Sequence, residues 1–230
     1  MKFKGIILLV LLPFIGNAQV KSYINIGTNF GTHYNRDGFY STGIGQQFYK
    51  RDGSYSSKKI GQYIAADILF EVPLNNKIFG LSGLGITQAG YHNYTRYLIS
   101  DFKATYISIP FQLRINFVNA VYLDVGLIGN IPVNAQLDEI AYSGTTQEMR
   151  ASGNIASYLQ PFTLGTNWQA SLVINRFTIS YYFIINKGNK IDNQLIEAWG
   201  LEKNVSIFLL DHIPKINYWM TGMKIGVRIL

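Results

Sequence analysis

The segment Thr105–Ile131, TYISIPFQLRINFVNAVYLDVGLIGNI, decides the fold class. Across 105–117 the odd positions carry threonine and then only apolar residues, whereas the even positions are mostly polar. Alternation with a period of two residues is the signature of a strand with one apolar face. Because strands of soluble domains are usually about 5–6 residues long, a segment of this length indicates an unusually long strand.

A hairpin centred on Asn119 explains the second half of the segment. It pairs Ile115 with Leu123, Leu113 with Val125, and the base Arg114 with the acid Asp124. A slip of one residue would set every apolar side chain opposite a polar one, so the pattern specifies the register. We interpret this segment as one hairpin of a transmembrane β-barrel.

The composition of the 230-residue chain fits that interpretation and excludes several classes of protein. There is no cysteine, so disulfides and thiol chemistry are excluded, and only 14% of the residues are charged. Soluble proteins usually carry about 25% charged residues. The net charge is +7, but the basic residues are scattered, so we expect no nucleic-acid partner.

The first residues have the features of a secretory signal. Lys2 and Lys4 precede the apolar run Gly5–Gly16, which is too short to span a bilayer, and Ala18 lies at a small-residue cleavage site. We therefore expect a signal peptide over 1–18 and a single barrel domain over 19–230. After 1–18, no run of 18 apolar residues predicts a transmembrane helix.

Eight segments alternate as strands of such a barrel should. The third strand is irregular: with Phe79 and Leu81 facing outward, Leu84 and Ile86 fall on the inner face, so we expect a bulge near Gly83 or a locally apolar interior. The predicted strands are Lys21–Tyr34, Gly61–Val72, Ile78–Tyr91, Thr105–Phe117, Val121–Ile131, Phe162–Ile174, Phe177–Asn186 and Tyr218–Leu230.

The connections between these segments alternate in length. The long ones are 35–59, where a hairpin extension is possible, 92–104, 132–160 and 187–217; those between them are short. Short periplasmic turns, long extracellular loops and an even strand number are typical of outer-membrane barrels. The prediction is an all-β protein, an antiparallel transmembrane barrel of eight strands. Ten strands stay possible, because 205–210 is apolar enough to add one, and 191–199 could form a short helix.

Three segments carry a family resemblance. The chain resembles the PorT-like outer-membrane β-barrel family of Gram-negative bacteria in Ala65–Leu74, in the Tyr-x-x-Ile-Pro pattern of Tyr106–Arg114 with a basic residue four positions after the proline, and in the closing Gly222–Arg228. The resemblance implies the bacterial outer membrane as location, and a role in a protein secretion or assembly apparatus as one possible function.

Six charged residues should point into the barrel. They are three acids and three bases: Asp67, Glu71, Asp124, Arg114, Lys224 and Arg228. An eight-stranded barrel has an interior that side chains can fill. Because unpaired buried charges are costly, we expect these six to form a compensated, structural ionic cluster. A proton or ion path through the same charges is the alternative.

No residue pattern indicates catalysis. His33, His92 and His212 have no spacing that pairs them with a nucleophile or with one another, so we expect no enzyme, no cofactor and no metal site. The expected function is structural or interactive, through extracellular loops. The alternatives are the secretion apparatus, a lipid-modifying rim enzyme and a soluble lipocalin-like barrel. Expected partners are lipopolysaccharide outside, phospholipid inside, the outer-membrane assembly machinery and envelope proteins.

Overall fold

The computed structural model describes residues 20–34, 47–49, 55–59, 61–95, 98–142, 148–189 and 216–229. The expected signal peptide over 1–18, the helix over 191–199 and the additional strand over 205–210 lie outside these residues. Within the described ranges, no helix has the length and apolarity that a bilayer crossing requires.

Eight long antiparallel strands close into a ring, as predicted. Their bounds are β1 Lys21–Tyr34, β4 Gly61–Pro73, β5 Ile78–Thr95, β6 Leu98–Val118, β7 Val121–Tyr142, β9 Thr163–Ile174, β10 Phe177–Asn189 and β11 Ile216–Arg228. Each pairs with two neighbours, in the order β1-β4-β5-β6-β7-β9-β10-β11 and back to β1. The fold is a closed antiparallel β-barrel.

Three shorter strands extend this ring at one end. β2 (Gln47–Tyr49) pairs with β3 (Tyr55–Lys59), which adds to the far end of β5. β8 (Glu148–Asn154) pairs with the far end of β7 and leads into a 3-10 turn over Ala156–Tyr158. We call this the loop end. The turn end is the opposite one, which carries the short connections 74–77, 119–120 and 175–176.

The tight turns follow from their residues. Asn119 (φ 22°) and Asn175 (φ 55°) adopt positive φ, which asparagine tolerates better than most residues. In the turn over 74–77, Asn75 Oδ1 accepts hydrogen bonds from the backbone N–H groups of Lys77 and Ile78, at 2.8 Å each. These turns fix the registers of their hairpins.

The predicted hairpin register is confirmed. Leu113 pairs with Val125, Arg114 with Asp124, and Ile115 with Leu123. At the turn the register shifts by one residue, because Val118 pairs with Val121 while Asn116 pairs with Tyr122. Phe117 is the extra residue of this bulge.

The expectation for β5 was wrong in both of its alternatives, because there is no bulge near Gly83 and neither Leu84 nor Ile86 points into the interior. The register of β5 with β4 runs without a shift from Ala65–Thr87 to Pro73–Phe79, so the bulge near Gly83 is absent. Leu81 is 2% exposed and points inward, whereas Leu84 and Ile86 are more than half exposed and point outward. The outward assignment of Phe79 and Leu81 was therefore wrong.

Two of the four predicted long connections were also wrong. The segment 92–104 belongs almost entirely to β5 and β6, which leave only residues 96 and 97 between them. The segment 132–160 continues β7 to Tyr142 and then forms β8. The hairpin extension within 35–59 is present as β2 and β3.

The barrel is apolar outside and polar inside over most of its height. Outward side chains such as Ile26, Phe117 and Ile225 are 63–70% exposed, whereas the inward Asn25, Arg114 and Asn167 are buried. On β9 the exposure alternates strictly from Thr163 to Leu172. This arrangement is the reverse of a soluble domain and suits a surface solvated by lipid.

The polarity inverts near the loop end of β6 and β7. There the outward side chains are Asp101, Lys103, Gln136 and Asp138, which are exposed and polar. The inward ones are Phe102, Ala104, Ala135 and Leu137, at 0–2% exposure. A register shift between Thr105 and Tyr106, opposite Val133, accompanies the inversion. The apolar outer surface therefore ends at this level, and the sheet beyond it has the polarity of a water-soluble structure.

Candidate functional site

Arg114 is the centre of the inward charges. It lies on β6 with 2% of its side chain exposed. Its Nε and Nη2 donate to Asp124 Oδ1 and Oδ2 on β7, both at 2.8 Å, and its Nη1 donates to Glu71 Oε2 on β4 at 2.9 Å. The guanidinium carbon also lies 5.3 Å from the ring centre of Tyr23 and 5.4 Å from that of Tyr122. One arginine thus joins three strands of the ring.

Asp124 has other hydrogen-bonding partners besides the Arg114 guanidinium. Gln169 Nε2 donates to Asp124 Oδ2 at 3.0 Å, and the Ser171 hydroxyl lies 3.4 Å from the same oxygen. Both residues belong to β9, which pairs with β7 through Gln169 opposite Asp124. The bidentate contact with the added amide donor satisfies a carboxylate that is fully buried, as a buried charge requires.

Glu71 is held by three groups at the turn end. Besides Arg114, Lys21 Nζ donates to Glu71 Oε1 at 3.1 Å and the Tyr23 hydroxyl donates to Oε2 at 3.1 Å. The Lys21 side chain is 35% exposed, and its ammonium lies 5.2 Å from the Phe79 ring centre. Lys21 therefore sits in the mouth of the barrel, between the buried charges and the exterior.

A second ion pair joins the two strands that flank β1. Lys224 Nζ on β11 donates to Asp67 Oδ2 on β4, and Asn25 Nδ2 on β1 donates to Asp67 Oδ1 at 2.6 Å. The Lys224 ammonium also lies 4.4 Å from the Tyr182 ring centre. Since β1 lies between β4 and β11, this pair crosses one strand to link the first part of the barrel to the last.

Five of the six predicted inward charges take part in these pairs, and Arg228 does not. Arg228 is partly exposed at the end of β11, and no ion pair links it to any described residue. Lys21 is the third base of the described ionic cluster, which balances Arg114, Lys224 and Lys21 against Asp67, Glu71 and Asp124. We use "ionic cluster" for these six residues from here on.

A small cavity lies in the lumen above Arg114, at mid-height of the barrel. Thr87, Gln112, Asn167, Asp67 and Lys224 are among its lining residues. The cavity has a volume of about 10 Å³, which is enough for about one water molecule. Gln112 Nε2 and Asn167 Oδ1 are buried there without a protein hydrogen-bond partner. A single water is the occupant that suits their polarity and this volume.

Towards the loop end the lumen is filled by apolar side chains. This apolar plug includes Tyr106, Phe102, Leu137, Ile184 and Met220, each 0–2% exposed, and Ile155 and Leu159 from the segment after β8. The ionic cluster at the turn end and the apolar plug at the loop end together occupy the interior. The small cavity lies between these two groups of side chains.

The lumen offers little chemistry beyond charge compensation. Among the described residues, no group of three histidine, cysteine or acidic side chains lies together in a way that could hold a metal ion. His33 and His92 lie on β1 and β5, and His212 lies outside the described ranges. The three lumen acids are each engaged by cations or amides. The expectation of no metal, no cofactor and no catalysis stays a prediction.

The sequence held a signal for the residues that the prediction missed. Lys21, Tyr23 and Asn25 share the inward parity of β1, and Lys21 pairs with Glu71 in the ladder. Gln169 and Ser171 share the inward parity of β9. The prediction named Arg228 from its inward parity on the last strand and left out Lys21, although Lys21 also occupies an inward position at the turn end.

Comparison with known proteins reveals likeness among solved structures only. No family model matches the chain, and no curated protein sequence does. It is similar to Ail, the attachment invasion locus protein of Yersinia pestis, solved in complex with the heparin analogue sucrose octasulfate: 13% identity over 91% of this chain and 99% of that chain, TM-score 0.44.

Two further solved structures give comparable values. Neisserial surface protein A has 10% identity over 91% of this chain and 97% of that chain, with a TM-score of 0.42. CarO of Acinetobacter baumannii has 10% identity over 90% and 96%, with a TM-score of 0.37. At this level of identity, the lumen and rim of the present chain have to be interpreted from its own residues.

Proposed function

We propose that this chain is a small outer-membrane β-barrel with a filled lumen, which acts through its loop end as a structural or interaction protein, without catalysis. The observation that carries the proposal is the closed ring with lipid-suited side chains outside and a lumen filled by side chains except for one small cavity. A closed barrel satisfies all backbone hydrogen bonds in a bilayer, which is the condition for crossing it with strands. Lipopolysaccharide outside, phospholipid inside and the assembly machinery are the partners that this location entails.

The loop end is the part suited to interaction. There β5, β6 and β7 continue beyond the apolar outer surface, with Asp101, Lys103 and Asp138 exposed and β3 and β8 widening the sheet. A polar sheet supported by the apolar plug gives a rigid platform in water. Binding residues are frequently presented by such rigid scaffolds.

Cysteine labelling on whole cells tests this orientation. Single cysteines at Ser54 or Thr145, in segments that connect strands at the loop end, should react with a membrane-impermeant reagent. Cysteines at Asn75 or Asn119, in the exposed turns of the opposite end, should react only after the outer membrane is broken. The reverse pattern would contradict the proposal. So would recovery of the protein in the soluble fraction with all four cysteines labelled equally.

A PorT-like role in protein secretion is the second candidate. The motif that carries the resemblance supplies one inward row of β6, because Tyr106 lies in the apolar plug, Pro110 lines the cavity and Arg114 centres the ionic cluster. Isolation of the barrel from its native membrane under mild conditions tests this candidate. A secretion component should bring stoichiometric envelope proteins with it, and its deletion should retain secreted proteins in the periplasm.

A further inference from the structure

The outer side of the barrel carries a continuous polar face just beyond its apolar surface. Three neighbouring strands contribute to it, namely β6, β7 and β8. The opposite side of the same strands packs into the apolar plug, through residues such as Phe102 and Leu137. We use "outer polar face" for these seven exposed residues: Asp101, Lys103, Asn134, Gln136, Asp138, Ser152 and Asn154.

The residues of the outer polar face stand side by side in the strand register. Lys103 on β6 pairs with Gln136 on β7, which pairs with Asn154 on β8. The next row, farther from the apolar surface, consists of Asp101, Asp138 and Ser152. With strands about 4.8 Å apart and a rise of about 3.4 Å per residue, the face measures about 10 by 14 Å. It has the dimensions to contact a short oligosaccharide.

The height of this face indicates what lies against it. On β6, the last exposed apolar side chain before the face is Ile107, four residues from Lys103. With the usual rise and a strand tilt of about 40°, Lys103 lies about 10 Å beyond Ile107 along the barrel axis. Lipid headgroups add about 5–8 Å to each side of the hydrocarbon core, so the face begins within the headgroup layer and continues past it. A lipid beside the barrel therefore presents its polar part to this face.

Side-chain hydrogen bonds between β7 and β8 fix the groups of the face. Asn154 Nδ2 donates to Asn134 Oδ1 at 2.9 Å, and Asn154 Oδ1 accepts from the Ala156 N–H at 2.9 Å. The Ser152 hydroxyl donates to Asp138 Oδ1. Because these side chains are already held in place, less conformational freedom is lost when a ligand binds.

The charges of the face suit a ligand with a phosphate near the membrane and hydroxyl groups farther out. Lys103 lies one row closer to the apolar surface than Asp101 and Asp138 do, and no ion pair engages its ammonium among the described residues. An ammonium group there can pair with a phosphate. The two carboxylates repel further anions but accept hydrogen bonds from hydroxyl groups, as amide oxygens do.

We propose that the outer polar face binds the phosphorylated sugars of an outer-leaflet glycolipid, lipopolysaccharide. Lys103 pairs with a sugar phosphate, and the amides of Asn134 and Gln136 bind sugar hydroxyl groups. The proposal rests on the membrane location and orientation given under the proposed function. It adds the place on the barrel where the glycolipid lies and the group that each residue contacts.

An NMR titration of the refolded, mature protein in detergent micelles tests the site. The first probe is lipopolysaccharide freed of its acyl chains, so that only sugars and phosphates can bind. The second is the same molecule after removal of its phosphates. The wild type should bind the first probe saturably and the second more weakly, with shifts centred on the outer polar face. Dextran, a glycan without this sugar backbone, should give no saturable shift.

Single substitutions separate the two kinds of contact. Lys103→Gln should weaken binding of the phosphorylated probe by roughly fivefold at low salt and leave binding of the dephosphorylated probe unchanged. Gln136→Ala and Asn134→Ala should each weaken binding of both probes by roughly fivefold, because a hydrogen bond to a hydroxyl group does not depend on the phosphate. All three positions are exposed, and the heat-modifiable gel shift verifies that each variant is folded.

The matched controls make the same kinds of change at the turn end. Lys77→Gln and Asn76→Ala alter exposed residues of the turn between β4 and β5 and should leave both affinities unchanged. Absence of saturable binding by the wild type would overturn the proposal, as would losses in the controls equal to those in the face. Equal weakening of both probes by Lys103→Gln, or binding of dextran as tight as that of the first probe, would also overturn it.

Flotation with phosphatidylcholine vesicles separates this proposal from the one it rests on. If the wild-type protein does not float with these vesicles, the membrane location itself is wrong. If it floats but does not bind the deacylated probe, the membrane location stands and the sugar site is wrong.

Discussion

Arg114 holds the turn-end half of the lumen together, because one guanidinium engages carboxylates on β4 and β7 at 2.8–2.9 Å. Removal of one partner of a buried ion pair typically costs about 3–5 kcal/mol, since it leaves a charge without compensation. Arg114→Met removes the charge partner of two buried acids, Asp124 and Glu71, whereas Asp124→Leu leaves Arg114 paired with Glu71. We expect both to lower the free energy of unfolding, and Arg114→Met to lower it more.

A double-mutant cycle measures the interaction itself. In Arg114→Met combined with Asp124→Leu, Glu71 still has Lys21 and Tyr23, so the double variant should recover part of the loss. The measurement is the temperature at which the heat-modifiable gel shift disappears. Additive losses would show that the two side chains are not coupled, and the register of β6 with β7 would have to be redrawn.

Lys21 and Arg228 provide a test of which base completes the ionic cluster. Lys21→Met removes a partner of the buried Glu71 and should lower the free energy of unfolding. The effect should be smaller than that of Arg114→Met, because solvent reaches the partly exposed lysine and screens its charge. Arg228→Met should change stability little. If Arg228→Met proved the more destabilising, Arg228 rather than Lys21 would be the compensating base.

The eight strands of the ring and the register of the hairpin at Asn119 followed from the sequence, because both depend on local alternation and on turn residues. The clear alternation of β6 is absent from β5, whose inward face carries Leu81, Gly83, Gly85, Thr87 and Ala89. With small residues inside and leucine on both faces, parity alone could not tell the two faces apart. The partner strand decides, because the register with β4 sets Leu81 opposite Glu71.

The extent of β6 and β7 was underestimated for a different reason. A search for apolar residues facing outward stops where the polarity inverts, near Thr105 and Ile131, although the strands continue to Leu98 and Tyr142. In the proposed membrane location, the solvent around the barrel changes from lipid to water beyond that level, which explains why polar residues there face outward and apolar residues face inward. The charged partners of the lumen were predictable as inward residues, but the choice of Lys21 over Arg228 required the folded ring.

A glycine in β7 allows β6 and β7 to approach closely inside the barrel. A Cβ added to Gly126 would lie 2.0 Å from the Phe111 carbonyl oxygen and 2.6 Å from the Gln112 Cα, both backbone atoms that cannot move aside cheaply. Overpacking of this kind typically costs about 1–3 kcal/mol. We expect Gly126→Ala to lower the temperature of the gel-shift transition.

Gly80 is the matched control in a neighbouring hairpin. A Cβ there meets nothing nearer than the Val72 carbonyl oxygen at 4.0 Å. Gly80→Ala should therefore leave the transition unchanged or raise it slightly, since alanine restricts the unfolded chain. Equal effects of the two substitutions would mean that the close approach at Gly126 does not exist in the folded protein.

The whole molecule combines a paired ionic cluster, a cavity for about one water and an apolar plug in a single closed ring. With both ends of the lumen occupied, we expect no steady conductance of porin size when the purified protein is inserted into planar bilayers. Large and reproducible open levels would show that the interior is wider than the ring of eight strands allows.

The central claim is that the apolar outer surface crosses a bilayer and ends where the polarity inverts. A nitroxide scan of the outward positions of β6, from Asp101 to Phe117, tests it directly in reconstituted vesicles. The account predicts that collisions with membrane-dissolved oxygen are most frequent near Phe111, in the middle of the span. Collisions with a water-soluble nickel reagent should dominate at Asp101 and Lys103. Uniform access of the nickel reagent along the whole strand would contradict the account.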